Sequence, residues 1–175
     1  ADQCAGQYAE DCKLTVTGVI GETRQTLRIA LPARSAPLTR LRLDPADRPG
    51  FLHLYRLSLR RPSGELVWQW SCERDPRSVL AQAPHSQIVW QAPLPAAASA
   101  SLLLLAGDDQ WFELPIAPET LAAGTEQGAS LEVELGWPMS ADYLALSSTV
   151  GNLEAQINHI EAALSKAQKE QVHAS

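Results

Sequence analysis

The chain has 175 residues, of which 45% are hydrophobic and 19% are charged, so it is long and apolar enough to bury a core without a disulfide or metal. Its net charge of −6 argues against a nucleic-acid partner, because Lys and Arg contacts to phosphate supply most of that affinity. All eleven arginines lie between Arg24 and Arg77, and no Lys or Arg occurs from Ser78 to Asp142. We interpret this asymmetry as basic and acidic strands that neutralise one another in a sheet. An arginine-rich face that binds an anion is the alternative.

No apolar run is long enough to span a bilayer, and the start of the chain shows no secretory signal. An odd number of cysteines (Cys4, Cys12 and Cys72) then predicts free thiols in a reducing compartment. Cys4 and Cys12 could still pair under oxidation. The histidines are scattered and do not cluster with these thiols, so no metal site and no cofactor are expected.

Residues 1–13 are predicted to form a flexible leader, and residues 14–138 a β-rich domain. Short segments with alternating or continuous apolar residues follow one another between turn residues, which gives about nine strands. The first spans Leu14–Ile20. Ser101–Ala106 is apolar on both faces, which favours a central strand. In Leu131–Leu135, apolar residues alternate with glutamates. We find no pattern of helix length between the strands.

Strands without intervening helices cannot form parallel crossover units, so the sheets should be antiparallel. A domain with this many strands closes into two layers or a barrel. We therefore predict an all-β fold, an antiparallel β-sandwich of jelly-roll or immunoglobulin-like type, followed by a C-terminal helix.

Residues 139–175 have a different pattern, with no proline after Pro138. Apolar residues recur at alternating spacings of three and four from Tyr143 to Ala167, which is the heptad pattern of a coiled coil. A helix with such a narrow stripe must bury it, and we favour self-association over packing on the sandwich. The predicted oligomerisation residues are Leu146, Val150, Leu153, Ile157, Ile160 and Leu164.

The chain carries no motif of a nucleophile elbow, a phosphate loop or a zinc protease, and no catalytic residue is predicted. Asp108 and Asp109 are explained by turn chemistry, and His53 as a hydrogen-bonded histidine of a sheet. Exposed tryptophans form platforms for sugars in some sandwich domains. Trp111, which follows the Gly107–Gln110 turn, is a candidate for this role.

The segment Leu38–Gly50, with its Leu-Arg-Leu-Asp-Pro run and Pro-Gly end, leads into a strand and a Ser-Gly turn before Trp68. This layout resembles β-rich accessory modules of large bacterial proteins that build cell-surface polysaccharide, such as multidomain glycosyltransferases and methyltransferases of O-antigen assembly. In those proteins a coiled coil often joins the module to the enzyme domains. A comparable sandwich in some polysaccharide export ATPases recognises the end of the glycan.

The resemblance implies a non-catalytic module that binds or positions glycan, located in the cytoplasm or at the inner face of the bacterial membrane, with the chemistry held by other domains of a parent protein. From exposure, we expect glycan contacts at Trp111 and Asp109. Arg40, Arg42 and Arg56 are predicted to form an anion-holding face. The alternative is a purely structural module that pairs with other protein subunits and oligomerises through its helix.

Overall fold

A computed structural model describes residues 13–19, 21–75, 79–92, 99–139 and 141–173. The chain divides into two compact units, which meet in the sequence between Met139 and Ser140. The elements are β1 Gln25–Leu31, β2 Arg42–Leu43, β3 Gly50–Arg60, β4 Leu66–Ser71, α1 Val79–Gln82, β5 His85–Ser86, β6 Ile88–Gln91, β7 Ser101–Leu105, β8 Trp111–Glu113, α2 Pro118–Thr125, β9 Ala129–Met139 and α3 Ala141–His173.

The strands form two antiparallel sheets. The large sheet has the order β1-β9-β3-β7-β6, and β4 pairs with the second half of β3. The small sheet has the order β2-β8-β5. The prediction of an antiparallel, sandwich-like β-domain with a C-terminal helix is therefore confirmed at this level.

A bulge at Tyr55 decides which face each side chain of β3 occupies. Leu54 pairs with Leu135 and Arg56 pairs with Glu134, so β3 has one more residue than β9 at this point. The extra residue shifts the alternation, and all four buried leucines of β3 lie on the inner face: Leu52, Leu54, Leu57 and Leu59. Simple alternation would have placed His53 on the same face as Leu57; the bulge puts the two on opposite faces.

The small sheet covers the inner face of the large one through Phe112 of β8. This ring is fully buried and lies edge-on to Trp90 of β6, with the ring centroids 5.9 Å apart. Phe112 and Leu43 belong to the same apolar core as the inner leucines of β3. Trp70 is buried and Trp68 packs against this core.

Residues 14–19 lack the predicted first strand. The side-chain amide of Gln25 donates to the carbonyl of Val19 and its oxygen accepts from the Val19 N–H, at 2.9 and 2.8 Å. The Gln25 side chain thus gives Val19 the pair of hydrogen bonds that a neighbouring strand would make. Leu14, Val16 and Val19 are left exposed.

The domain also contains a helix that the alternation pattern did not predict. α2 begins with Pro118, whose fixed φ and missing N–H suit the first turn of a helix, and Leu121 is its buried anchor. The eight residues are too few for a clear periodic signal. Of the cysteines, Cys72 is a buried free thiol, whereas Cys4 and Cys12 lie outside the described residues. Among the described residues, no helix is long and apolar enough to cross a bilayer.

Candidate functional site

The small sheet brings together four of the five residues that were expected to contact glycan. Arg42 lies in β2, Arg40 just before it, Trp111 in β8, and Asp109 in the turn that leads into β8. β2 and β8 pair directly, with Arg42 opposite Glu113. We refer to Arg40, Arg42, Asp109 and Trp111 as the small-sheet site.

Arg42 contacts both Asp109 and Trp111 of the small-sheet site. Its Nε and Nη2 donate to the two carboxylate oxygens of Asp44 at 2.6 and 3.0 Å, and Nη2 also donates to Asp109 Oδ1 at 2.8 Å. The guanidinium carbon lies 4.9 Å from the centre of the Trp111 ring, within the range of a cation–π contact. Burial, the largest single influence, lowers the pKa of Arg42, but the bonds to Asp44 and Asp109 outweigh it and leave that pKa raised. The charge is permanent, and the side chain orients both an acid and an aromatic ring.

Arg40 forms the second ion pair of this sheet, with Glu113 on β8. Its Nε and Nη2 reach the two oxygens of the Glu113 carboxylate, so the contact is bidentate. Arg40 is half exposed, whereas Glu113 is largely covered. The ion pair with Glu113 thus fixes the position of a half-exposed guanidinium.

Gln87 fixes the turn that carries Asp109. This residue separates β5 from β6, so the chain passes from the small sheet to the large one at a single position, with a φ of 54°. Its side-chain oxygen accepts from the Asp109 N–H at 3.1 Å, and its backbone carbonyl accepts from Ala106 N at 2.8 Å. Gly107 makes room for this contact, since a Cβ there would lie 1.8 Å from Gln87 Oε1.

A second glutamine joins the turn to the loop after β2. Gln110 is buried, and its amide nitrogen donates to the carbonyls of Ala46 and Arg48 at 2.7 and 3.1 Å. The loop that carries Asp44 is therefore tied to the turn that carries Asp109. The small-sheet site is pre-organised by these bonds.

A cavity of about 1070 Å³ borders the small-sheet site. Arg40, Arg42 and Asp109 line its polar side. Its apolar side includes inner residues of β1 and β9 and two small residues of α2: Leu27, Ile29, Leu31, Leu131, Val133, Leu135, Ala122 and Ala123. Residues 13–18 and 34–47 also line the cavity. The volume is of the size of small-ligand sites, which are roughly 300–1,000 Å³.

The small-sheet site offers guanidinium, carboxylate and indole groups. Within the described residues, no three His, Cys, Asp or Glu side chains are grouped to hold a metal ion. Burial lowers the pKa of His53, whose Nε2 has no hydrogen-bond partner in the described part of the chain. This histidine lies on β3, on the face opposite to the small sheet, and so has no part in the small-sheet site.

Arg56, the fifth residue expected to contact glycan, lies elsewhere. It belongs to the outer face of the large sheet, which we define as the face away from the core. There, Glu134 of β9 pairs with Arg24 and Arg56 at 2.6 and 3.1 Å. One step along the strand, Glu132 pairs with Arg28 and Arg60 at 2.6 and 3.2 Å.

These ion pairs account for much of the charge asymmetry of the sequence. The acidic strand β9 runs between the basic strands β1 and β3, as the interpretation of mutual neutralisation requires. The hydrogen bond from Arg28 is the main cause that lowers the pKa of Glu132. Glu132 is therefore ionised at neutral pH. Glu132 and Glu134 each form ion pairs with two arginines.

In the described part of α3, five apolar residues of the heptad pattern are open to solvent. The exposed fractions run from 45% to 57% for Val150, Leu153, Ile157, Ile160 and Leu164. Leu146 lies in the same helix.

Sequence reasoning missed the residues that support the sites, namely Gln87, Gln110, Glu113, Glu132 and Glu134. The alternation of the two β9 glutamates with buried residues was visible, but their arginine partners lie far away along the chain, from 72 residues for Arg60 to 110 residues for Arg24. The glutamines carried no signal, because an amide in a turn segment is ordinary composition. Neither a protein-family model, nor a curated protein, nor a solved structure matches this chain.

Proposed function

We propose that this chain is a non-catalytic, glycan-binding module of a bacterial polysaccharide-biosynthesis protein, and that its C-terminal helix oligomerises it. The observation that carries the first part is that Arg42 and Asp109, which line the 1070 Å³ cavity, are bonded to one another, and that Arg42 also contacts the Trp111 ring just outside the cavity lining. An aromatic ring with fixed polar groups at its edge is the arrangement that orients a ligand in a binding pocket.

Each group of the small-sheet site has a part in this proposal. The half-buried Trp111 ring offers an apolar surface to the C–H face of a sugar. The carboxylate of Asp109, which is largely exposed, accepts hydrogen bonds from sugar hydroxyls, and Arg40 donates to ring or hydroxyl oxygens. Arg42 acts by positioning the other two. Arg56 is not part of this site, because it lies on the outer face.

Self-association through α3 is the second part. Five apolar side chains at heptad spacing stay roughly half exposed in the single chain, which is unfavourable in water. A second copy of the helix would cover them by knobs-into-holes packing. Several binding modules on one stem would then engage a repeating polymer together, which raises avidity above the affinity of one site.

The binding experiment titrates the full chain with bacterial surface polysaccharides and their repeat-unit oligosaccharides by isothermal calorimetry. We expect Trp111→Ala to weaken binding by about tenfold or more, as loss of an aromatic anchor does, and Trp111→Phe to restore part of it. Arg56→Gln, on the outer face, is the matched control and should leave the affinity unchanged. Unaltered affinity in Trp111→Ala, with urea unfolding showing an intact fold, would refute the small-sheet site.

The oligomer experiment measures the molar mass of the full chain by light scattering. Ile157→Asp should yield the monomer mass, whereas Asn158→Asp adds the same charge at the next residue, outside the heptad stripe, and should leave the oligomer intact. An oligomer that survives Ile157→Asp would refute the helix as its interface. If the chain oligomerises and no glycan binds, the structural module is the function that remains.

A further inference from the structure

The outer face of the large sheet carries more positive than negative charge. Four arginines of β1, β3 and the residue preceding β1 flank two glutamates, and each glutamate forms ion pairs with two guanidinium groups. The glutamates are mostly covered, with 12% and 16% of their side chains exposed, while Arg28 is 70% exposed. The negative charge lies at the bottom of this face, and the positive charge faces the solvent.

One end of the outer face borders a second concavity of about 420 Å³, which shares Leu31 and Pro32 with the large cavity. Its charged lining consists of Arg28, Arg60, Arg61 and a single acid, Glu132. The rest of the lining comes from the turn before β9, the segment after β1 and the turn after β3, and includes Gln127, Gly128, Ser130, Pro32 and Pro62. Three arginines and one acid thus line this concave surface.

The hydrogen-bonding capacity of these guanidinium groups is only partly used. Arg28 donates through Nη2 to Glu132, and Arg60 donates through Nε to Glu132 and through Nη1 to the carbonyl of Gly64. Arg61 donates through Nη1 to Glu65 on the neighbouring turn, at 3.2 Å. Each guanidinium has further N–H groups in a planar fork that matches the two oxygens of a carboxylate or phosphate.

We propose that this concavity, lined by Arg28, Arg60 and Arg61, binds an oxyanion group, either a carboxylate or a phosphate; that this group is carried on a sugar rests on the proposed function. The volume is large enough for one sugar unit with its acidic group, since ligand pockets start at about 300 Å³. None of the three arginines belongs to the small-sheet site, so the two sites are tested with different variants.

Glu65 is the competitor for the ligand. It is 62% exposed, and an exposed ion pair between side chains four residues apart contributes little free energy, so Arg61 exchanges this partner readily. Removing the carboxylate should therefore strengthen anion binding, whereas removing the guanidinium should weaken it. Opposite changes in affinity for substitutions of Arg61 and of Glu65 would indicate a defined binding site.

The experiment titrates the full chain with glucuronic acid and with glucose 6-phosphate, using glucose and inorganic phosphate as references. Arg28→Gln and Arg61→Gln should each weaken binding by about tenfold, which corresponds to the loss of a charge-assisted hydrogen bond. Glu65→Gln should strengthen it. Arg48→Gln removes one positive charge from an exposed ion pair that does not line the concavity, and it should change nothing.

Several outcomes would overturn the proposal. Equal weakening by Arg48→Gln and Arg61→Gln would show general attraction, and inorganic phosphate binding as tightly as glucose 6-phosphate would exclude a role for the sugar. The acid that binds more tightly identifies whether the carboxylate or the phosphate is the source. Trp111→Ala should leave anion binding at the concavity unchanged. The arginine variants therefore test the concavity, and Trp111→Ala tests the small-sheet site, so either proposal can fail without the other.

Discussion

Replacing Gly124 with alanine tests how α2 is seated on the large sheet. Gly124 is buried near the end of α2, and a Cβ built on it would lie 2.5 Å from Cγ1 and 3.2 Å from Cγ2 of Val67 on β4. Ala122 and Ala123 of the same helix line the large cavity. The contact between Gly124 and Val67 therefore helps to set the wall of the small-sheet site.

Two opposing effects determine the size of the change. Alanine favours a helix over glycine by about 1 kcal/mol, whereas overpacking a fitted interior costs about 1–3 kcal/mol. The branched side chain of Val67 has little rotamer freedom and cannot swing aside. We expect Gly124→Ala to lower the free energy of unfolding by roughly 1 kcal/mol.

The decisive comparison places the same substitution in a Val67→Ala background. Both clashing methyl groups are then absent, and the nearest remaining atom of residue 67 is Cβ, at 3.3 Å. Gly124→Ala should now raise the free energy of unfolding, by up to about 1 kcal/mol. Urea unfolding of the four variants measures the coupling directly. Equal effects of Gly124→Ala in both backgrounds would refute the close approach of helix and strand.

Two further predictions concern the turn and the buried histidine. Gly107→Ala should displace the Gln87 side chain and remove its hydrogen bond to the Asp109 N–H. The free energy of unfolding should fall by about 0.5–1.5 kcal/mol. The Asp109 amide should then exchange its hydrogen faster, and an unchanged exchange rate would contradict the prediction. Burial lowers the pKa of His53, so the unfolded chain takes up a proton first as the pH falls below about 6.5. The free energy of unfolding should decrease from pH 7.5 to 5.5, and His53→Gln should reduce that slope; identical slopes would remove His53 as its cause.

Much of the architecture follows from residue periodicity. The alternation of Leu131, Val133 and Leu135 with glutamates predicts a strand with one covered face, and β9 is such a strand. Ser101–Leu105, apolar on both faces, does lie inside the sheet between β3 and β6. Periodicity fails where another group takes over the hydrogen bonds, as Gln25 does beside residues 14–19. It also fails at the Tyr55 bulge, which one inserted residue creates without any marker in composition.

The candidate site was predictable in its residue types but not in its pairings. Arg42 and Asp109 stand 67 positions apart, and only the order of the strands in the small sheet brings them within a hydrogen bond. Composition suggested an arginine face and an acidic region. The topology, which local sequence does not encode, decides that Arg56 belongs to the outer face and Arg42 to the small sheet.

The double pairing of β9 has a mechanical consequence. β9 is bonded along both edges, to β1 and to β3, and only Ser140 separates its last residue from the first residue of α3. Any tension applied through the helix therefore enters the domain along this strand. A load parallel to β9 would be shared in shear by the bonds to β1 and β3, which would have to rupture together rather than one after another.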